Sequence, residues 1–137
     1  MRALVLVMLA LVLSLGGIGC GGKRAPARPA PIDPRALAAE LAGELAEVAT
    51  VVHAHRDDCP TLAGALRGVF ARMRDSIALA HRAQLDDATA KQLVIEMRAY
   101  DQVTAQHTAA IEADFTASAR CANAPEVREV MMSMPTL

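Results

Sequence analysis

The stretch Cys59–His81, CPTLAGALRGVFARMRDSIALAH, decides the fold. Pro60 stands where a helix begins, because the first helical residue has no use for a donor N–H. Leu62, Leu66, Phe70, Met73 and Ile77 then recur at spacings of four, four, three and four. That period places them on one side of an α-helix, with His81 continuing the stripe. Arg67 and Arg74 share another face, with Arg72 nearby. The spacing predicts a helix from Pro60 to about Gln84 that buries one side and solvates the other.

The same pattern extends in both directions. Upstream, Asp33 is a good N-cap and Pro34 a good first residue. Leu37, Leu41, Leu45, Val48 and Val52 form an apolar stripe flanked by Glu40, Glu44 and Glu47. This helix runs to about Arg56, where Asp57-Asp58 oppose the C-terminal end of its dipole. If the two helices form an antiparallel hairpin, residues whose numbers sum to about 117 lie opposite, so Glu and Arg flanks meet. Downstream, Asp86 or Asp87 caps a third helix over Asp87–Ser118, striped by Leu93, Met97, Tyr100, Thr104, His107, Ile111 and Phe115. Asn123-Ala124-Pro125 breaks the chain, leaving Glu126–Met132 for a short helical turn and the last residues for a frayed end. The expected fold is all-α: a small up-down-up three-helix bundle over 34–122, with 123–137 as a short helix or frayed tail.

The chain begins differently. Arg2 precedes an apolar run, Ala3–Leu15, broken only by Ser14, and Gly16-Gly17-Ile18-Gly19 leads into Cys20. A run of about 13 residues is too short for a membrane-spanning helix and has the anatomy of an export signal. It resembles the signal of bacterial lipoprotein precursors over Met1–Gly22: Gly19 matches the small residue before the cysteine, while Gly17 stands where that family usually carries leucine. The resemblance implies cleavage after residue 19 and a lipid on the Cys20 thiol, which anchors the mature chain to a membrane. Gly21 stands where an aspartate typically retains such proteins at the inner membrane, so the implied address is the outer membrane, facing the periplasm. The alternative is an ordinary signal cleaved near Gly19 or Gly22 that leaves a soluble periplasmic protein.

Residues 20–33 then read as a linker. Pro26, Pro29, Pro31 and Pro34 with Lys23, Arg24 and Arg28 favour extended chain. At about 3.1 Å per residue it reaches roughly 40 Å. Without the signal, thirteen basic residues face fifteen acidic ones, a net charge of −2. That balance, with only Phe70, Phe115 and Tyr100 as aromatics, excludes a nucleic-acid partner. The 29 alanines favour helix but make a thin core.

With Cys20 spent on lipid, Cys59 and Cys121 remain, and an exported domain pairs them. They start the second helix and end the third, ends that adjoin in an antiparallel arrangement. The registers disagree, however. A turn at 84–86 sets opposite residues at a sum near 171, while 59 and 121 sum to 180. Nine residues of helix rise is about 13 Å, too far for a disulfide. Either the turn lies several residues later or the third helix breaks before Cys121, and a break or irregular end after Phe115 is expected.

For chemistry, the registers bring His53 or His55 toward His107 and leave His81 at the far end. Two imidazoles with Met131, Met132 and Met134 would suit copper or zinc, so a periplasmic metal-binding role is the alternative function. Against it, His53 and His55 sit at a helix C-terminus, where histidine is favourable in any case, and methionines commonly just pack. No haem-attachment sequence or phosphate loop occurs. Asp57-Asp58 and Asp86-Asp87 are explained by helix ends, and no nucleophile has a base beside it, so no enzyme and no cofactor is expected. What remains is an interaction or structural role in the cell envelope with an unidentified envelope protein as partner. Val94, Val103 and Ala110 form a second apolar edge, either extra core, a partner face or a dimer seam.

Overall fold

The computed structural model describes residues 29–136. The signal segment, Cys20 and the linker to residue 28 lie outside the described residues. Helix α1 spans Pro34–His55, α2 Cys59–Ala83, α3 Asp87–Arg98, α4 Asp101–Ala117, α5 Ala119–Ala122 and α6 Pro125–Met132. There are thus six helices among the described residues, and no strand.

Three starts follow from one device. Asp33 accepts from the Arg35 and Ala36 amides at 3.0 and 3.3 Å. Asp58 accepts from the Thr61 amide at 3.2 Å and its hydroxyl at 2.8 Å. Asp86 accepts likewise from Thr89 at 2.8 and 2.6 Å. Each carboxylate occupies donors that the first helical turn leaves unpaired. Asp58 therefore does more than end α1; it also begins α2.

The expected single third helix is two. Its ladder tightens at Ala99 and Tyr100, whose amides donate to Glu96 and Met97 at 3.2 and 2.9 Å. The sequence has no Gly or Pro there. The Thr104 hydroxyl instead donates back to the Tyr100 and Asp101 carbonyls at 2.9 and 3.0 Å, the kind of intrusion that bends helices. A second break follows at Ser118 (φ −116°, ψ 61°), after Phe115 as expected. It redirects the chain into α5, and Cys121 meets Cys59 at a Cα–Cα separation of 5.0 Å with the sulfurs bonded.

Packing is organised around α1, which lies against α2, α3 and α4, while α6 lies against α2. At the disulfide end Val48, Val52, Leu62, Leu66, Val69 and Phe70 enclose Cys59 and Cys121, with Ile111 and Phe115 against them. Val127 and Val130 of α6 join this core at 1% and 2% exposure, so Pro125–Met132 is the short helix of the expected alternatives and part of the core. At the other end Leu37, Ala38, Leu41, Ile77, Ala80, Ala83 and Leu93 form a second cluster. Here α2 departs from its expected stripe: Ala80 and Ala83 are buried while His81 is exposed. Small residues at Ala38 and Ala80 suit close approach of α1 and α2. Leu45 is only half-buried, and Ala42 and Ala49 take its share of the interface.

Candidate functional site

Three places gather polar or unsatisfied groups. The first is the α1–α2 seam. Glu47 pairs with Arg72, close to the register expected for the hairpin. Between them and the N-terminal end lies buried Ser76, whose Oγ stands 2.9 Å from Glu40 Oε1 and 2.7 Å from Glu44 Oε1. The one hydroxyl proton is shared between the two carboxylates, of which Glu40 is exposed and also reaches water. Glu44 Oε2 is buried without a partner. Burial pushes the Glu44 carboxyl above its usual 4.5, and the neighbouring Glu40 and Glu47 charges add to this, against the Ser76 hydrogen bond and Arg72.

A raised folded-state value means that the Glu44 contribution to stability is complete below pH 4.5 and is lost as pH rises through the raised value. The caps behave oppositely. Asp58 and Asp86 are held below their usual 3.8 by the Thr61 and Thr89 hydroxyls and then by the amides of the same threonines. Their contributions are present above 3.8 and are lost as pH falls through the lowered values. Glu44→Gln is expected to raise stability at pH 7 by about 1 kcal/mol, one satisfied hydrogen bond. Its advantage disappears below pH 4.5. Urea melts of both proteins across that range check this; parallel pH profiles would refute it.

The second place is a clasp between α1 and α4. Asp114 lies in the last turns of α4, where an acidic group opposes the helix dipole and needs a partner. Arg56 Nη1 donates to its Oδ1 at 3.2 Å, and His53 Nδ1 stands 3.1 Å from Oδ2. Arg56 Nη1 is also 3.1 Å from His53 Nδ1, so that nitrogen accepts from Arg56 in one tautomer and donates to Asp114 in the other. The Ser118 hydroxyl donates to the Arg56 carbonyl at 2.6 Å. Asp114 and Ser118 were not singled out in the sequence; the dipole conflict at Asp114 was the available signal.

Of the metal candidates, His53 is thus engaged with Asp114, and His55 and His107 are half-buried on α1 and α4. Among the described residues no three His, Cys, Asp or Glu side chains come together to hold a metal. Met131 and Met134 pack on the disulfide-end core, and Met132 is exposed.

The third place is a groove of about 270 Å³ where α3 crosses α1 and α2. Leu41, Ala80, Leu93 and Met97 supply apolar walls, and Arg98 and Asp101 line it as charged groups. Val94 also lines it while 55% exposed, with Leu85 at 87% and Ile95 at 57% nearby in sequence. Val94 and Val103 of the second apolar edge are therefore not core among the described residues. Comparison with known protein families, with curated proteins and with solved structures finds no match for the chain.

Proposed function

We propose that the chain is a lipoprotein of the cell envelope, tethered through acylated Cys20 to the outer membrane on its periplasmic side. Its disulfide-linked domain is an up-down-up bundle in which α3 and α4 together make the third rod. It serves as a protein-docking module and not as an enzyme. The observation that carries this reading is the groove beside Val94, an apolar concavity next to exposed aliphatic side chains. Its occupant is an amphipathic helix of an envelope protein, with an aliphatic ridge for the groove, an acid for Arg98 and a base for Asp101. The metal-binding alternative has less support, since His53 already holds Asp114.

A photocrosslinking residue at position 94, with one at exposed position 129 on α6 as control, tests this in the native envelope. The expected result is a discrete adduct from position 94 only. It maps to a helix with an acid facing Arg98, and Arg98→Glu abolishes it. An adduct with a second copy of this chain, or equal labelling from both positions, overturns the docking reading. Mass spectrometry of the N-terminal lipopeptide tests the anchor separately.

A further inference from the structure

The outer face of α2 is not used by the groove, the seam or the clasp. Arg67, Arg74 and His81 follow one another at seven-residue intervals and are all exposed, with Arg82 beside the last. Seven residues of helix rise about 10 Å, so the two guanidinium groups and the imidazole form a ladder along one side. Exposed Gly68, Ala71, Asp75 and Ala78 lie between them, and Gly64 precedes Arg67, where a Cβ would meet nothing within 4 Å. No bulky neighbour shields the guanidinium groups. Arg67, Arg74 and Arg82 have no ion-pair partner among the described residues, whereas Arg72 turns to Glu47.

Charge is also segregated in the domain. Helix α2 carries four arginines against Asp75, while α4 carries Asp101, Glu112 and Asp114 with no Lys or Arg. Both pack on α1 and hardly on each other, so the cationic and acidic helices occupy separate flanks. A domain whose net charge is slightly negative thus presents one positive face. Such a dipolar distribution orients a molecule in an external field. A second copy cannot use this face against itself, because arginine would meet arginine.

We propose that the outer face of α2 docks on anionic phospholipid headgroups, laying the helix along the membrane and turning α4 away from it. This rests on the tether reading, which keeps the domain beside such a surface at high effective concentration. Arginine suits the purpose because its fork holds a phosphate through paired hydrogen bonds. Basic residues near an anionic surface each add to attraction that falls away within a Debye length, so docking is salt-sensitive.

The test uses the whole mature chain on vesicles of phosphatidylcholine, with or without phosphatidylglycerol, containing a gadolinium-headgroup lipid. The chain is held either by its own lipid or by an N-terminal histidine tag on a chelator lipid. The second tether makes the docking result independent of Cys20 acylation. Paramagnetic broadening is expected to be strong along α2 and weak along α4 on phosphatidylglycerol vesicles, and to be lost in high salt. The triple variant R67Q/R74Q/R82Q weakens association of the untethered chain roughly a hundredfold, and R67K/R74K/R82K retains most of it. Equal broadening of α2 and α4, or no effect of the glutamines, overturns the proposal. So does an α2 face that stays open on vesicles yet is protected in the native envelope, an outcome that assigns it to an acidic protein.

Discussion

Replacing Cys59 and Cys121 together by alanine is expected to lower the unfolding free energy by about 4 kcal/mol on the chain-entropy account of a loop of this size. The two cysteines are 62 residues apart in sequence, so the bond removes much of the freedom of the unfolded chain. The local structure depends on it as well. Helix α5 is one turn long and has no side-chain cap, and Cys121 is its one buried residue. Without the bond, α5 and the start of α6 lose the attachment that directs Val127 and Val130 into the core. Hydrogen exchange should therefore rise first in α5, α6 and the end of α4, while α1 and α2 remain protected. Both cysteines are buried, at 6% and 0% exposure, so mild reductant should leave the native bond intact and act only once the domain opens. Urea melts with and without reductant give the magnitude; coincident curves would show that the crosslink contributes nothing.

Phe70→Ala is the substitution expected to cost most in the core, about 3–5 kcal/mol, the usual range for deleting a buried phenyl ring. Phe70 is 0% exposed and belongs to the cluster in which α1, α2 and α6 meet. Val48, Val52, Leu66 and Val69 belong to the same packed cluster and relax only in part into the space, so a cavity persists. A domain of this size has about 5–15 kcal/mol of stability in total, so the variant is expected to be partly unfolded at physiological temperature. Phe115→Ala is the informative comparison. Phe115 packs against the same cluster but is only half-buried, and its loss should cost clearly less. Thermal melts of the two variants side by side test this; equal losses would mean that α4 closes the core more tightly than its exposure indicates.

How much was legible depends on the range of the forces involved. Helices α1 and α2 were readable to within a residue or two because their starts are local chemistry. Asp33 with Pro34, and Pro60 in the first turn of α2, act without help from the rest of the fold, whereas the Asp58 cap emerged only in the structure. Their mutual register was readable because a three-residue turn leaves little freedom, and Glu47 accordingly meets Arg72. The break at Tyr100 was not readable. No Gly or Pro marks it, and the Thr104 back-bond bends the helix only where packing on α1 makes the bend worthwhile. Periodicity places His81 on the α2 stripe, but Ala80 and Ala83 are buried there instead, in one cluster with Leu37, Ala38 and Leu93.

The candidate site divides in the same way. The cysteine pair and the need for a break before Cys121 followed from counting residues along helices. The contacts of Ser76 with Glu40 and Glu44, the Asp114 clasp and the groove beside Val94 each join side chains from helices far apart in sequence.

By itself the sequence determined that the described chain is helical, where its first two helices start and how they face each other. It also predicted the meeting of Cys59 and Cys121. These depend on capping, periodicity and turn length, which act over a few residues. Only the tertiary structure decided that the expected third helix is two, that α6 joins the core, and that α2 and α4 carry opposite charge on separate flanks. Those outcomes depend on which surfaces exclude water together, and that is set by the packed arrangement of all the helices at once.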